Sequence, residues 1–302
     1  PFINAQGYAT TGMISVVIGA IANIVLDPLF IFMLDLGIRG AAIATVLSQC
    51  LSAGFVLYFL SKKAEYKVRL LYKEEIRTCG KDAKNIVSLG TAGFVMQLTN
   101  SLVSICCNNV LSATGGDVYV SVMTIISSVR QMIETPIWSI SEGSSPVISY
   151  NYGAKRPKKV IEAWITMSVL ALIYSLIAWS VILFAPKFLI GIFSSDKSLM
   201  IDTVPAMKLY FSAFIFMLFQ YTGQTMFKSL NKKKQAIFFS ILRKVIIVVP
   251  MTYMFPYVFH MGSNGVFMAE PVSNVIGGSL CFIVMLLTVL PELKQMNSDL
   301  SS

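Results

Sequence analysis

Charged residues are scarce in this sequence. Asp, Glu, Lys and Arg together make up 13% of its 302 residues, whereas they make up about a quarter of a soluble domain. Hydrophobic residues make up 55% of the chain, and the mean hydropathy is +0.71. These proportions exclude an ordinary soluble domain and predict an integral membrane protein.

Several motifs of enzymes are also absent. The only histidine is His260, so the sequence has no HExxH motif and no histidine cluster. The phosphate-binding motif GxxxxGK[ST] does not occur, and the five cysteines lack metal-ligand spacing. A membrane-embedded enzyme would need a nucleophile with a base, or metal ligands, within the membrane. We therefore expect no enzymatic activity, no ATP hydrolysis and no resident metal or cofactor.

Long apolar runs dominate what is present. Crossing a membrane takes about 20 apolar residues in a helix, and eight runs of that length occur. The sequence predicts an all-α integral membrane protein, a polytopic bundle of about eight transmembrane helices. The runs lie approximately at residues 12–34, 40–61, 85–111, 117–143, 160–185, 200–227, 235–257 and 264–290.

Basic residues cluster in every other connection between these runs, at 62–84, 155–159 and 228–234. Because positive loops stay on the cytoplasmic side, this pattern places these connections and the C-terminus in the cytoplasm of a multi-pass protein of the cell (plasma) membrane. The connections 155–159 and 228–234 hold no aromatic residue for base stacking, and 62–84 holds only Tyr66 and Tyr72, so nucleic acid is not an expected partner. The mixed charges from Glu65 to Lys84 predict an interfacial helix that joins two bundles.

Asp27 lies within an otherwise apolar run. An aspartate near the middle of a membrane helix costs about 2.5 to 3.5 kcal/mol on insertion scales. Asn23 is one helical turn away, Pro28 loosens the backbone ladder, and Thr45 lies about as far beyond the next turn as Asp27 lies before it. Asn23, Asp27 and Thr45 could therefore form an oxygen-rich site for a proton or Na⁺. The alternative is that Asp27 caps a broken helix or pairs with Arg39.

Small residues repeat along the chain at an offset of about 225 positions. The same helix polarity and loop spacing accompany them, which predicts a parallel internal repeat. We expect residues 1–62 to end one lobe, 63–84 to link the lobes, and 85–302 to form a complete six-helix lobe. About 150 residues, or four helices, are then expected before the first residue. The repeated residues are Gly37, Gly40, Ala44 and Ser48, which recur as Gly262, Gly265, Ala269 and Ser273.

Other polar residues recur at helical spacing within the apolar runs. A polar stripe within a bilayer faces either a cavity or a partner helix. We expect cavity lining, although the glutamines and their aromatic neighbours could also fill the core. These residues are Gln97, Ser101, Ser104 and Asn108 in one run, and Gln220 and Gln224 in another.

Charged residues also occur inside the runs. Arg130 and Glu134 lie one turn apart, as an ion pair that either stabilises the helix or takes part in transport. Arg243 and Lys244 lie about two turns into their run and could extend to the interface. We therefore expect no site at Arg243 and Lys244.

Three strings carry a resemblance to a known family. NIVLDPLFI followed by GIRGAAIATVLSQ, PVISYNYGAKRPKKV, and SLNKKKQAIFFSILRKVIIVVP are similar to sequences of the multidrug and toxic compound extrusion (MATE) transporters. The resemblance implies a two-lobe transporter of six plus six helices, with Asn23, Asp27 and Thr45 matching the cation site of one branch. A second branch uses a glutamate in its seventh helix. The corresponding run, 85–111, has none, and Gln97 is its nearest polar candidate.

The expected function is that of a secondary active antiporter. It would export amphipathic, cationic organic compounds in exchange for H⁺ or Na⁺, with the lipid bilayer and drug-like molecules as partners and no obligate protein partner. The first alternative is a flippase for lipid-linked precursors, which an abundance of cationic residues in the cavity would favour; Arg130 is the main one visible in the sequence. A structural membrane subunit is the second.

Overall fold

The computed structural model of the chain describes residues 2–67, 80–194 and 196–299. Almost all of these residues are helical, which confirms the all-α prediction. The predicted interfacial helix from Glu65 to Lys84 lies largely outside the described residues. The helices are α1 (Phe2–Ala5), α2 (Ala9–Met33), α3 (Gly37–Lys62), α4 (80–115), α5 (117–153), α6 (Pro157–Phe184), α7 (Pro186–Phe193), α8 (Lys197–Tyr210), α9 (Phe214–Ser229), α10 (Lys233–Val258) and α11 (263–299).

Six helices in the described part of the chain are long and apolar enough to cross a membrane, or seven if the bent pair α8 and α9 counts as one. One of them, Gln97–Gly153, has 57 residues, or about 85 Å of helix at 1.5 Å per residue. That is far more than one crossing needs, and Gly116 interrupts it with a φ of 69° and a ψ of −167°. Because only glycine adopts such angles readily, Gly116 separates α4 from α5. Counting the bent pair as one span and this stretch as two gives eight spans in the described part of the chain.

One of the predicted runs, 200–227, is broken in the structure. Helices α8 and α9 meet at an angle of 50°, and the turn between them holds Phe211. Trp179 of α6 donates its indole N–H to the carbonyl of Phe211 at 3.0 Å. The same carbonyl also accepts the backbone N–H of Phe214 at 3.1 Å, so one bond within the turn and one from α6 stabilise the break.

The chain divides into two compact units, an N-terminal unit (Pro1–Asp82) and a C-terminal unit (Ala83–Ser302). In the N-terminal unit α2 packs against α3. Ser52 donates to the carbonyl of Ser15 at 2.6 Å, and Gly19 lies close enough to Ser52 that an added Cβ would come within 3.2 Å of it. Small residues thus bring these two helices together.

The C-terminal unit has two apolar cores. The first joins residues of every helix from α4 to α11 around Leu111, Ile126 and Phe267, all fully buried. The second lies around Phe227 and Met285, where the Phe227 ring stacks on Phe239 with centroids 5.7 Å apart. Polar and charged residues of α4, α5, α9, α10 and α11 face a common cavity in this unit.

Candidate functional site

In the N-terminal unit, Asp27 and Asn23 contact each other. Asn23 Nδ2 donates to Asp27 Oδ1 at 3.2 Å, and both residues are half-buried. Thr45 is exposed, and its hydroxyl donates to the carbonyl of Ala41 at 2.9 Å. Between Asp27 and Arg39, both within the described residues, the structure shows no ion pair.

The helix continues past Pro28 in a widened form. Proline has no N–H to donate, and residues Leu29–Met33 form a π-helix. Such segments are rare and are often found at functional sites. The expected weak point beside Asp27 is therefore present as a local change of helix type.

The same local backbone geometry recurs in the C-terminal unit at an offset of 225 residues. The π-helix Leu29–Met33 corresponds to the π-helix Met254–Val258. Asp35 has a φ of 50° and His260 a φ of 55°. The repeated backbone extends beyond the repeated small residues on which the sequence prediction was based.

The close contacts of two glycines repeat as well. A Cβ added at Gly40 would lie 2.5 Å from the carbonyl oxygen of Phe30, and one added at Gly265 would lie 2.8 Å from the carbonyl carbon of Phe255. At this offset the position of Thr45 corresponds to Glu270. The C-terminal unit therefore has its acid on the last helix, where the N-terminal unit has a threonine.

The C-terminal unit contains a cavity of about 670 Å³, within the range of about 300 to 1,000 Å³ typical of small-molecule sites. Six of the residues predicted from the sequence line it: Gln97, Ser104, Arg130, Glu134, Gln220 and Gln224. Among the other lining residues are Asn100, Cys107, Trp138, Glu142, Tyr210, Tyr221, Lys228, Arg243, Lys244 and Glu270.

Two of the predicted residues, Ser101 and Asn108, lie off the cavity and are exposed. The lining face of α4 includes Gln97, Asn100 and Ser104. Residues spaced by three and by four both share a helical face. The sequence pattern therefore identified the helix but not which of its polar side chains face inwards.

Glu270 is the centre of a buried ionic network. Its Oε1 lies 3.2 Å from Arg130 Nη2, 3.3 Å from Arg243 Nη1 and 3.3 Å from Lys244 Nζ. Glu270 is only 4% exposed. We call these residues together with Glu134 the Glu270 cluster.

Arg130 links the two acids of this cluster. Its Nε donates to Glu134, its Nη1 donates to the Tyr210 hydroxyl at 2.6 Å, and its Nη2 faces Glu270. The Tyr221 hydroxyl donates to the other oxygen of Glu134 at 3.2 Å. Structural pairing of Arg130 with Glu134 is thus present, and the pair lies on the cavity wall.

Arg243 and Lys244 do not extend to the interface as expected. Both are buried and contact Glu270 of α11 instead. Arg243 also donates to Asn274, and a Cβ on Gly277 would lie 2.9 Å from Arg243 Cγ. Gly277 thus leaves room for the Arg243 side chain.

Sequence reasoning missed Glu270 altogether. A signal was available, because Glu270 interrupts an apolar run in the way that Asp27 does, and an acid in such a run needs a partner. The offset of 225 also relates it to Thr45. Arg243 and Lys244 are the partners of Glu270 in the structure. Recognising Glu270 as a buried acid would have suggested these two cations as its partners.

The comparisons with known proteins identify the family. The model of the MatE family matches residues 93–254, more than half of the chain. The chain belongs to the MatE family. MATE proteins are transporters, which agrees with the prediction that this chain is not an enzyme, and the family and the apolar helices together establish a multi-pass membrane protein.

Relatives of this MatE-family chain include multidrug export proteins named MepA. The MepA of Staphylococcus saprophyticus is 26% identical over 294 residues, covering 95% of this chain and 61% of the relative. The MepA of Staphylococcus haemolyticus is 25% identical over 201 residues, covering 66% and 43%. The chain thus spans about three fifths of the length of the S. saprophyticus MepA.

Solved MATE structures share the fold. A crystal structure of MATE in the straight conformation has a TM-score of 0.85 at 23% identity, covering 98% of this chain and 65% of that one. A transporter of the MOP superfamily from Pyrococcus furiosus, described as having a binding pocket of reverse polarity, has a TM-score of 0.86 at 24% identity, with 96% and 64% covered. These similarities establish an all-α fold shared with these solved structures.

Proposed function

We propose that the full-length protein is a secondary active antiporter that exports amphipathic organic compounds. The observation that carries this proposal is the cavity of about 670 Å³ between membrane-spanning helices. Its wall combines apolar side chains with charged and amide groups, as small-molecule sites do. The name of the MepA relatives, multidrug export proteins, supports the same function.

We further propose that residues 1–62 end a first lobe, that 63–84 link the lobes, and that 85–302 form the second. The repeat of backbone geometry at an offset of 225 residues supports two lobes of common design. Transporters built from such repeats expose a central site alternately to either side as one repeat moves against the other. Export then requires both lobes.

Inward movement of H⁺ or Na⁺ is proposed to drive export, with Asp27 as the coupling acid. Its support is the half-buried carboxylate beside the Asn23 amide and the π-helix. A change of environment between two conformations would change the affinity of this carboxylate for a cation. Thr45, whose hydroxyl here donates to the Ala41 carbonyl, is proposed as a further oxygen ligand of the cation in the other conformation.

The membrane orientation proposed is the one that the basic connections predict, with the C-terminus in the cytoplasm of a plasma-membrane protein. Lys155, Arg156 and Lys158 follow α5, and Lys232 and Lys233 follow α9. Two membrane spans separate these two groups of basic residues, and two more separate the second group from the C-terminus. All three therefore lie on the same side of the membrane. Positive loops are retained on the cytoplasmic side.

A flippase for lipid-linked precursors is the second candidate function. The cavity wall holds four cationic side chains, whereas the sequence indicated mainly Arg130; the others are Lys228, Arg243 and Lys244. Cationic groups suit a lipid-linked diphosphate. The four cationic side chains on the cavity wall favour a flippase more strongly than the single Arg130 recognised in the sequence did. An assay of lipid translocation separates the two functions.

Ion-driven efflux from reconstituted vesicles tests the proposal. The full-length protein should export an amphipathic dye when a H⁺ or Na⁺ gradient is imposed and stop when an ionophore removes the gradient. Replacing Asp27 with Asn keeps the size but removes the charge, and should abolish ion-driven efflux at equal expression. Asn23→Ala and Thr45→Ala should weaken it less. Full transport by Asp27→Asn would show that coupling lies elsewhere, while dye flux that ignores the gradient would exclude an antiporter.

A further inference from the structure

We infer that the Glu270 cluster binds the anionic group of an organic substrate, a carboxylate or a phosphate, beside Lys244 and Arg243. This inference rests on the proposed function, in that the cavity is taken as the substrate chamber. It replaces the expected preference for cationic compounds. Its basis is the charge, the pairing and the hydrogen-bonding capacity of the side chains on the cavity wall.

The cavity wall carries more positive than negative charge. Its cations are Arg130, Lys228, Arg243 and Lys244, and its carboxylates are Glu134, Glu142 and Glu270. Lys228 pairs with Glu142 at 3.1 Å, where both side chains are about a third exposed or more. The buried Glu270 cluster is left with three cations and two carboxylates.

This excess has a physical consequence. Cations within a membrane are tolerated when they are paired, and a single oxygen of Glu270 serves Arg130, Arg243 and Lys244 together. Guanidinium groups keep their protons in proteins, so two of the three charges are permanent. An incoming anion would complete the pairing that the protein leaves unfinished, whereas an incoming cation would add to the excess.

Each carboxylate, by contrast, already has a cationic partner. Glu134 accepts from Arg130 and Tyr221, Glu142 accepts from Lys228, and Glu270 faces three cations. An organic cation would have to compete with these partners. The donors are less fully used: Lys244 Nζ has three hydrogens, and Glu270 Oε1 is its acceptor among the described residues.

A second feature points to a ligand in the same cavity. Gln220 is 4% exposed and lines the cavity, and its Oε1 receives no hydrogen bond from any described residue. Buried acceptors of this kind are rarely left unpaired. A substrate that carries a hydroxyl or N–H group as well as its anionic group would pair with Gln220 and with Lys244, which both line this cavity.

Binding of three matched probes tests this inference. A naphthyl-substituted alkyl carboxylate, its primary amide and the ammonium of the same skeleton are titrated against the purified full-length protein in nanodiscs. The carboxylate should bind about tenfold tighter than the ammonium or more, because a hydrogen-bonded charge pair is worth about that factor. Lys244→Met should remove most of this preference by weakening the carboxylate more than the amide, and Lys244→Arg should retain it.

Lys208→Met, the loss of an exposed lysine of α8 away from the cavity wall, is the matched control and should leave the preference unchanged. A short prenyl phosphate that competes with the carboxylate would identify a lipid phosphate as the source of the anionic group; competition by soluble carboxylates alone would identify an organic anion. Tighter binding of the ammonium, or a preference that survives Lys244→Met, would overturn the inference. Gradient-driven export of the amide is measured separately. If the protein exports the amide but binds the carboxylate no more tightly than the ammonium, this inference alone is refuted. If it prefers the carboxylate but exports nothing, the proposed function alone is refuted.

Discussion

Replacing Glu270 with Gln tests whether the Glu270 cluster stabilises the fold of the C-terminal unit. The side chain keeps its size but loses its charge, so Arg130, Arg243 and Lys244 are left with Glu134 as the one carboxylate of the cluster. Removing one partner from a buried ionic group costs about 3 to 5 kcal/mol. We therefore expect the free energy of unfolding to fall by about that amount.

A second substitution gives the sharper result. Adding Lys244→Met to Glu270→Gln removes one of the cations that the first change leaves without a carboxylate, and residues in one such network couple by about 0.5 to 3 kcal/mol. The double variant should therefore be more stable than the sum of the two single changes predicts. Unfolding by SDS in mixed micelles, followed by circular dichroism, measures all three variants.

The control is Glu162→Gln on α6, which removes the same charge from an exposed position and should change stability by less than about 0.5 kcal/mol. Two results would refute the reasoning. One is a loss of less than about 1 kcal/mol for Glu270→Gln, which would mean that the cluster is solvated. The other is strict additivity in the double variant, which would mean that Lys244 and Glu270 do not depend on each other.

The remaining predictions concern packing and topology. Gly265→Ala places a Cβ 2.7 Å from the backbone nitrogen of Pro256 and should lower the free energy of unfolding by about 1 to 3 kcal/mol. The control Gly143→Ala, whose Cβ would have no atom within 4 Å, should not lower it. Equal losses for the two variants would contradict the close approach of α10 and α11. In intact cells, a cysteine at Asp196 should react with an impermeant thiol reagent, and one at Lys158 should be protected; the opposite labelling pattern would reverse the proposed orientation.

Most of the fold followed from the sequence because length and hydropathy decide where a chain crosses a membrane. Seven of the eight predicted runs coincide with single helices of the structure, and the eighth, 200–227, is divided between α8 and α9. The break at Phe211 was not predicted, and one of the contacts at it is an indole N–H from another helix. A local pattern cannot report such a contact.

The candidate site was predicted only in part. Arg130 and Glu134 were found because they are one turn apart on the same helix, and contacts at that spacing can be inferred from sequence alone. The contacts of Arg243 and Lys244 with Glu270 join different helices, 26 to 27 residues apart in the sequence. A long basic side chain in a membrane helix can extend to the interface or pair internally, and the packing of α10 against α11 decides between these outcomes.

Trp138 offers the most direct measurement of the central claim, that the cavity of the C-terminal unit receives the substrate. Trp138 lines this cavity, whereas Trp179 donates to the carbonyl of Phe211 and Trp164 packs against Phe282. In full-length protein that retains Trp138 as its sole tryptophan, a transported dye should quench the fluorescence saturably, at the concentrations that half-saturate export. Unchanged Trp138 fluorescence while the same protein exports the dye would show that substrate passes elsewhere, and would contradict this account.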